Sequence, residues 1–399
     1  IFRFDFSSYF EGSLEDIFEN FEQNKFWEIK PNLSHEKFDE EKAKEYAKQY
    51  YELLEDAVRI RLRADVKVGS ALSGGLDSSS IVYLVNKLLK EQDKEELQET
   101  FSSVYKSDGT QECDESYFID IMALKLGVHS NQIEPKEDEI PSQIEKMIWH
   151  LENPPDNSLM SSWHTFKLVA STDVKVTLDG QGADEQLGGY LPYLLNYISS
   201  LSIVDMFSQA KKCLQIPNSS KYVFVGLCLG LYRVLFGEKF LKFTIKNIFK
   251  KDFEINFNKK LVDDINKNLI TLIHYSDHVS MAFSIESRMP FMDYRLVEFL
   301  ASVPACYKMR DGWTKYLARL AFDGKLPDEI NWRKDKMGWP IPEKKWFYGN
   351  LNRWFIENIE SCKLSKKLSF KEKENKKFSN NIKRMNLSIW EKSFLNNLD

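Results

Sequence analysis

The amino-acid sequence predicts an α/β protein, a parallel sheet covered by helices and followed by a mostly helical C-terminal part, and three observations carry that expectation. First, an apolar segment from Val66 enters the run Leu72-Ser73-Gly74-Gly75-Leu76-Asp77-Ser78-Ser79, and an amphipathic segment leaves it through Lys90, which spells strand, glycine turn, helix. Second, residues 99–105 and 174–178 read as further strands, with a helix at 114–126 between them. Third, the later of these strands ends in another glycine-rich turn, Asp179-Gly180-Gln181-Gly182-Ala183-Asp184-Glu185. Both turns therefore fall at carboxyl ends of strands, where open parallel sheets hold their ligands.

Ahead of the sheet, residues 1–37 mix Phe, Asp, Ser and Glu with no clean period and read as a connector, in which Phe26-Trp27-Glu28-Ile29-Lys30-Pro31 is an edge strand stopped by proline. Residues 38–62 place Tyr46, Tyr50, Leu53, Leu54, Val58 and Ile60 among the apolar positions of a long helix. The core is expected over 38–190, a helical insertion over 191–270, and over 271–399 a helical C-terminal part that completes the site. Within the insertion, the apolar run 222–236 is short for a bilayer span and contains Arg233, so it reads as a buried helix. After it, Lys239, Lys242, Lys246, Lys250 and Lys251 interleave with Phe240, Phe243, Ile248 and Phe249 as a basic amphipathic face. Residues 363–384 are lysine-rich and expected to form a solvent-exposed helical tail.

Composition narrows the function class. The chain has 399 residues, 43% hydrophobic, with net charge −5, and its pI is near 5.9, so it lacks the basic footprint of a nucleic-acid binder, and a small molecule is the expected ligand. Cys113, Cys213, Cys228, Cys306 and Cys362 fall at neither metal nor disulfide spacing, which points to a reducing compartment, the cytoplasm by default. His274 and His278, one helical turn apart, lack an acidic or cysteine partner and read as ordinary helix residues. The sequence asks for no membrane span.

The first turn offers backbone N–H groups and a helix N-terminus to an anion, and a polyphosphate fits there. It is not a Walker loop, which needs four residues between its glycines and then a lysine. It resembles the pyrophosphate loop of the ATP pyrophosphatases, which cleave ATP to AMP and pyrophosphate. The second turn is acidic. Cleavage between the α and β phosphates builds charge on both fragments, which Mg²⁺ held by Asp77 and Asp184 would offset. Alone, Asp184 reads as a helix N-terminal acid beside Glu185.

Together these motifs resemble the synthetase domain of the glutamine-dependent asparagine synthetases, a family that also includes β-lactam synthetases and lasso-peptide cyclases. The match runs over residues 40–348 and includes Ser280-Met281-Ala282-Phe283-Ser284-Ile285-Glu286-Ser287-Arg288-Met289-Pro290-Phe291-Met292-Asp293 and Trp313-Thr314-Lys315-Tyr316-Leu317-Ala318-Arg319. It also takes in Asn331-Trp332-Arg333-Lys334-Asp335-Lys336-Met337-Gly338-Trp339-Pro340, similar to the family's catalytic-lysine loop. The resemblance implies an adenine nucleotide alpha hydrolase-like, PP-loop core that binds ATP and Mg²⁺. It implies ATP and pyrophosphate contacts at Leu72, Ser73, Gly74, Gly75, Leu76, Asp77, Ser78 and Val104, with adenine near Leu72 and Val104. Acceptor contacts are implied at Gly180, Gln181, Gly182, Asp184 and Glu185. Lys336, Glu286 and Lys315 are the implied catalytic residues, although Glu286 with Arg288 reads equally as a salt bridge. Lys336 is expected to face the phosphates, where an ammonium contributes most in the transition state.

The implied reaction has a carboxylate, that of an aspartate side chain first of all, attack the α-phosphorus of ATP. Ammonia then attacks the acyl-adenylate. One departure stands out. Housekeeping members carry Glu where this chain has Gln181, so a charge is missing beside the acceptor, and the motif resembles proteins of surface-polysaccharide gene sets in which a sugar acid is amidated. Lactam or lasso-peptide-type cyclisation is a further alternative, and a non-catalytic scaffold is disfavoured by the retained acids and lysine. A glutaminase domain or subunit is expected as partner, cleaved from this chain or separate, and a homodimer is compatible with the family.

Overall fold

The computed structural model describes residues 7–13, 21–92, 98–250, 253–335, 341–364 and 377–395. Lys251, the loop residues Lys336 to Pro340, and residues 365–376 of the expected tail lie outside them. A small antiparallel pair, β1 (Ser8–Tyr9) and β2 (Asn24–Lys25), precedes the main body. The segment after β2 corrects the edge-strand expectation: 26–39 is an extended strap. The Phe26 amide still bonds to the Ser7 carbonyl at 2.9 Å beside β1, but beyond it the strap bonds to a helix, with the Asn32 amide on the Ala301 carbonyl at 2.8 Å and Trp27 Nε1 on Glu298 Oε1 at 2.6 Å.

Helix α1 (Glu40–Arg61) is N-capped by Asp39, whose side chain accepts from the Lys42 amide, and it buries Tyr50, Leu54 and Val58. Next comes the parallel sheet: β3 (Val68–Ala71), β4 (Glu99–Ser103), β5 (His129–Ile133), β6 (Val176–Leu178) and β7 (Glu286–Arg288), in spatial order β5-β4-β3-β6-β7. The fifth strand comes from the C-terminal part, so the sheet is closed only by residues beyond 270. Crossovers are helical, as parallel pairing requires: α2 (Leu76–Glu91), α3 (Ser116–Leu126), α4 (Ile140–Leu151) and α5 (Met160–Val169).

The insertion contains α6 (Ala183–Leu187), α7 (Tyr193–Ser200), α8 (Ile203–Cys213), α9 (Ser220–Phe236), α10 (Glu238–Phe249) and α11 (Phe257–Asp264), then a π turn leads into α12 (Ile270–Met281). Beyond β7 come α13 (Tyr294–Ser302), α14 (Ala305–Lys308), α15 (Tyr316–Ala321), α16 (Asp328–Asn331), α17 (Glu343–Tyr348), α18 (Asn352–Ser361) and α19 (Phe378–Phe394).

Two apolar cores sandwich the sheet. One joins Leu54, Val58, Ile81, Val85 and Leu178 to Leu296, Leu300 and Phe322, and the other joins Phe101 and Trp163 to Phe347, Phe355 and Met385. The second core corrects the tail expectation, because α19 buries Ile382, Met385 and Ile389 in it. The buried-helix reading of 222–236 is corrected too, since α9 buries only Val223, Gly226 and Gly230 and leaves the rest of its length partly or wholly in solvent.

One buried cation gives a pH signature. Lys308 Nζ is sealed in the interior with Asn258 Oδ1 at 3.0 Å, and burial lowers its ammonium to about 7. The folded chain sheds that proton from about pH 7 upward while the unfolded chain keeps it to its ordinary lysine value. Stability therefore rises with pH across that window. Lys308→Met should stabilise the protein at pH 6 by roughly 2 kcal/mol, after the cost of leaving Asn258 Oδ1 without its donor. The gain should shrink toward pH 10, measured by urea unfolding.

Candidate active site

Strand β3 delivers its turn against the start of α2. Gly74 adopts φ +69°, and a methyl there would sit 2.8 Å from Phe118 Cβ, so both backbone and space ask for glycine. The turn is fixed by Ser78, whose hydroxyl meets the Ser73 amide at 3.1 Å and the Ser73 hydroxyl at 3.0 Å. Gly75 caps α2 with no side-chain bond to the helix, leaving that end to backbone N–H groups, which suits an anion.

The second turn packs onto the first. A methyl on Gly180 would lie 3.1 Å from the Ser78 amide nitrogen and 3.2 Å from Asp77 Cβ, so the two loops touch backbone to backbone. This contact brings Asp184 alongside Asp77. Between them stands Lys315, its Nζ 2.5 Å from Asp77 Oδ2 and 2.5 Å from Asp184 Oδ1. Burial alone would lower this ammonium, but the two carboxylates win and hold it above its ordinary value. Lys315 itself takes the left-handed region at φ 53° at the head of α15, a costly conformation for a side-chain-bearing residue.

Two cavities meet at this cluster. The first, about 360 Å³, opens past Ser73, Asp77, Asp179, Gln181, Ser161 and Tyr275. The second, about 530 Å³, is walled by Leu76, Asp77, Asp184, Lys315, Arg319 and Arg333. Asp77, Asp184 and Tyr190 belong to both, so the carboxylate pair stands on the partition. The second cavity sets Lys315, Arg319, Arg333 and Lys334 against Asp77, Asp184 and Asp335, the last of which pairs with Arg333 at 3.0 Å. Arg333 is fixed by Glu115 at 2.6 Å and by the Phe118 ring, 3.5 Å from its guanidinium carbon, while Arg319 bonds to the carbonyls of Thr314 and Asn331. Burial brings the Arg319 guanidinium down to about 10, still charged at neutral pH.

Two buried acids of the second turn are tuned in the opposite direction. Burial raises Asp179 to about 6, against the Ser287 hydroxyl that donates to it at 2.5 Å. Burial and then the Asp184 charge raise Glu185 to about 7, with Tyr190 OH donating to its Oε1 at 2.8 Å.

The structure brings Ser73, Gly74, Gly75, Leu76, Asp77, Ser78, Gly180, Gln181, Gly182, Asp184, Glu185 and Lys315 to one place. It does not bring Glu286 there. In the parallel register Glu286 pairs with Val176 while Arg288 pairs with Leu178, so Glu286 sits at the amino end of β7, away from the carboxyl-end loops. Its carboxylate meets Arg288 at 2.8 Å, and that bond holds it below the usual range. The structure shows the salt bridge. Glu286→Gln should change nucleotide turnover less than about threefold, assayed as AMP release, since a half-exposed ion pair contributes little.

Leu72 and Val104 place their side chains in the hydrophobic core, and the strand-end wall of the first cavity is made by Ala71 and Ser73 on either side of Leu72. Lys336 lies outside the described residues; the residues that flank the segment 336–340, Asp335 and Ile341, line the second and first cavities respectively.

Sequence reasoning missed Asp179, Tyr190, Arg319, Arg333 and the serines at the start of α5. Arg319 and Arg333 sat inside recognised motifs without a role, and Asp179 ended a predicted strand. Ser161 carried no local signal, being placed by Tyr105 OH at 2.5 Å and by Ser103, whose hydroxyl donates to the Ser161 carbonyl. The paired histidines behave as ordinary helix residues: His278 Nδ1 meets the His150 carbonyl at 3.1 Å and His274 Nε2 meets Asn153 at 2.9 Å.

A strand feeding a serine–glycine–glycine turn into a helix N-terminus, flanked by an acidic turn from the adjacent strand, defines a PP-loop α/β protein. The chain belongs to the asparagine synthase family, whose family model matches residues 49–380. It is 28% identical over 340 residues to asparagine synthetase (glutamine-hydrolyzing) 1 of Bacillus subtilis (strain 168), covering 78% of this chain and 52% of that protein. It is 26% identical over 356 residues to asparagine synthetase (glutamine-hydrolyzing) 3 of the same organism, covering 85% and 54%. Similarity at 26% over 411 residues extends to the amidase chyE of Penicillium rubens, covering 85% and 59%. The chain spans about half the length of the curated relatives it matches.

Proposed function

We propose that this chain is the synthetase part of an ATP-dependent amide ligase that adenylates a carboxylate, releases pyrophosphate and passes the acyl group to ammonia. The single observation that carries this reading is the Asp77–Lys315–Asp184 cluster on the partition between two cavities, one beside the strand-end loop and one lined by arginines. Such a partition suits a nucleotide cut in the middle, with the adenylate on one side and the departing pyrophosphate on the other.

The donor set fits Mg²⁺. Two carboxylates converge on a point that tolerates positive charge, which suits an ion shared with phosphate oxygens. Asp77 and Asp184 would hold the ion, and when bound it offsets charge on the reacting phosphates. The chain's own groups do the rest. The α2 N-terminus with the Gly74 and Gly75 amides binds phosphate oxygens, and Lys315, Arg319 and Arg333 receive the pyrophosphate. Gly180, Gln181, Gly182 and Glu185 border the acceptor. A carboxylate oxygen bonds to the α-phosphorus as the bond to the bridging oxygen breaks. Ammonia then bonds to the acyl carbon, AMP leaves, and the extra proton departs from nitrogen. Lys336 is proposed as a further cation toward the α-phosphate, from the motif around it.

Aspartate is the first acceptor to test, because the relatives above carry asparagine synthetase names. Gln181 favours a second reading: a neutral amide between the two glycines suits an acid without an ammonium to grip, such as a sugar acid. Ammonia supply by a glutaminase domain or subunit is part of the proposal. The test is isotope exchange of pyrophosphate into ATP across a panel of carboxylic acids, followed by AMP and amide measurement with ammonium. Acid-dependent exchange and AMP release are expected. Release of ADP, or no exchange with any acid, would overturn the reading.

A further inference from the structure

We propose that the α9–α10 hairpin is a docking surface for an anionic lipid headgroup layer, on which the protein lies without crossing it. Helix α9 is held to the body by one face: a methyl at Gly226 would sit 3.1 Å from Ile198 Cβ, and one at Gly230 would strike Met206 Sδ, so the helix lies close against α7 and α8. Its other face is apolar as well and looks into solvent. Phe224 and Leu235 are 68% and 73% exposed, and with Leu231 they fall at helical spacing along one stripe.

Gly237 turns the chain with φ 86°, and α10 repeats the pattern. Leu241 and Ile245 pack inward beside Ile255, while Phe243 is 64% exposed and Phe240 lies beside it. The outward rings run on as a row, with centroids 6.0 Å apart for Phe236 and Phe240 and 6.4 Å for Phe240 and Phe243. Lys239, Lys242 and Lys246 occupy the flank of α10 between its inward and aromatic faces. Residues 220–250 carry six cationic side chains against the single acid Glu238, which pairs with Lys242 at 2.8 Å, in a chain of net charge −5 overall.

This pattern separates the occupants. Protein–protein interface cores are depleted in lysine, whereas phenylalanine and leucine on one face with lysine along the edge is the composition of an interfacial helix. A second copy seated on the same face would bring two lysine rows together. No helix among the described residues is long and apolar enough to span a bilayer. The contiguous aromatic surface exceeds what scattered exposed residues require and calls for cover.

The test is co-sedimentation of the intact protein with phosphatidylcholine vesicles, with and without phosphatidylglycerol, at low and high salt. Partition onto the phosphatidylglycerol vesicles alone is expected, and it should weaken with salt. Phe240→Ser/Phe243→Ser should lower that partition at least about tenfold through lost apolar burial. Lys239→Glu/Lys246→Glu should do so by a similar factor through lost charge. Neither pair lines either cavity of the site, so circular dichroism and AMP release should match the parent. Absence of the parent protein from the anionic vesicle pellet would overturn the proposal, as would equal partition of parent and variants. A dimer that the phenylalanine pair converts to monomer, with no vesicle binding, would assign the face to a second copy instead.

Discussion

Replacing Asp77 or Asp184 by asparagine is expected to cut pyrophosphate–ATP exchange roughly a thousandfold, because each change removes one of the two charges that converge on the partition between the cavities. The change is isosteric, and Lys315 keeps the other carboxylate as partner, so the folded state should survive with unchanged circular dichroism and a modestly lower melting temperature. The expected loss lies in turnover. Manganese binding, read by electron paramagnetic resonance as a stand-in for magnesium, should weaken in both variants. Lys315→Met should move the same readout the other way, since its ammonium occupies the point where both acids meet and competes for them. Yet Lys315→Met should also lose turnover, as the cavity that receives pyrophosphate has lost a cation. Opposite signs in metal affinity with the same sign in activity are what a shared Asp–Lys–Asp cluster demands. A surface salt bridge would give neither.

The cluster itself was only half legible. Asp77 and Asp184 could be read because each sits in a short glycine-marked turn, where backbone conformation constrains residue choice within a few positions. Lys315 could be read only through a resemblance, and its contact with both acids spans more than a hundred residues of sequence, a distance no local pattern encodes. Glu286 shows the converse case. A Glu-x-Arg beside a proline has the same residue types whether it serves chemistry or ties a strand to Arg61 and Arg63, whose carbonyls Arg288 Nη1 meets at 2.8 Å. Only the register of β7 decides. The parallel sheet followed from helix and strand alternation, whereas the burial of α19 and the exposure of α9 depend on which partner a given apolar face finds. Apolar composition reports that a face wants cover and says nothing of where the cover comes from.

Gly189→Ala provides the sharpest test of the cluster because its neighbour Gly188 serves as the control. A methyl on Gly189 would run into Asp184 Oδ1 and Lys315 Cε, while its amide bonds to the Asp184 carbonyl at 2.9 Å. Those obstructing atoms are ends of side chains, which can swing aside. Folding should therefore be nearly unaffected, and the ion cluster should be displaced, with exchange activity falling on the order of a hundredfold for a misplacement of this kind. Gly188 is different in both respects. It takes φ +71°, and a methyl there would strike the Phe257 ring at 2.5 Å from Cζ, inside a packed aromatic cluster. Gly188→Ala should cost about 1–3 kcal/mol of stability in urea, through left-handed backbone strain and overpacking, with a smaller effect on the activity of the folded fraction. Adjacent glycines would then separate into one that shapes the site and one that shapes the fold. If Gly189→Ala kept full exchange activity, the close approach of Asp184 and Lys315 would have no part in the reaction.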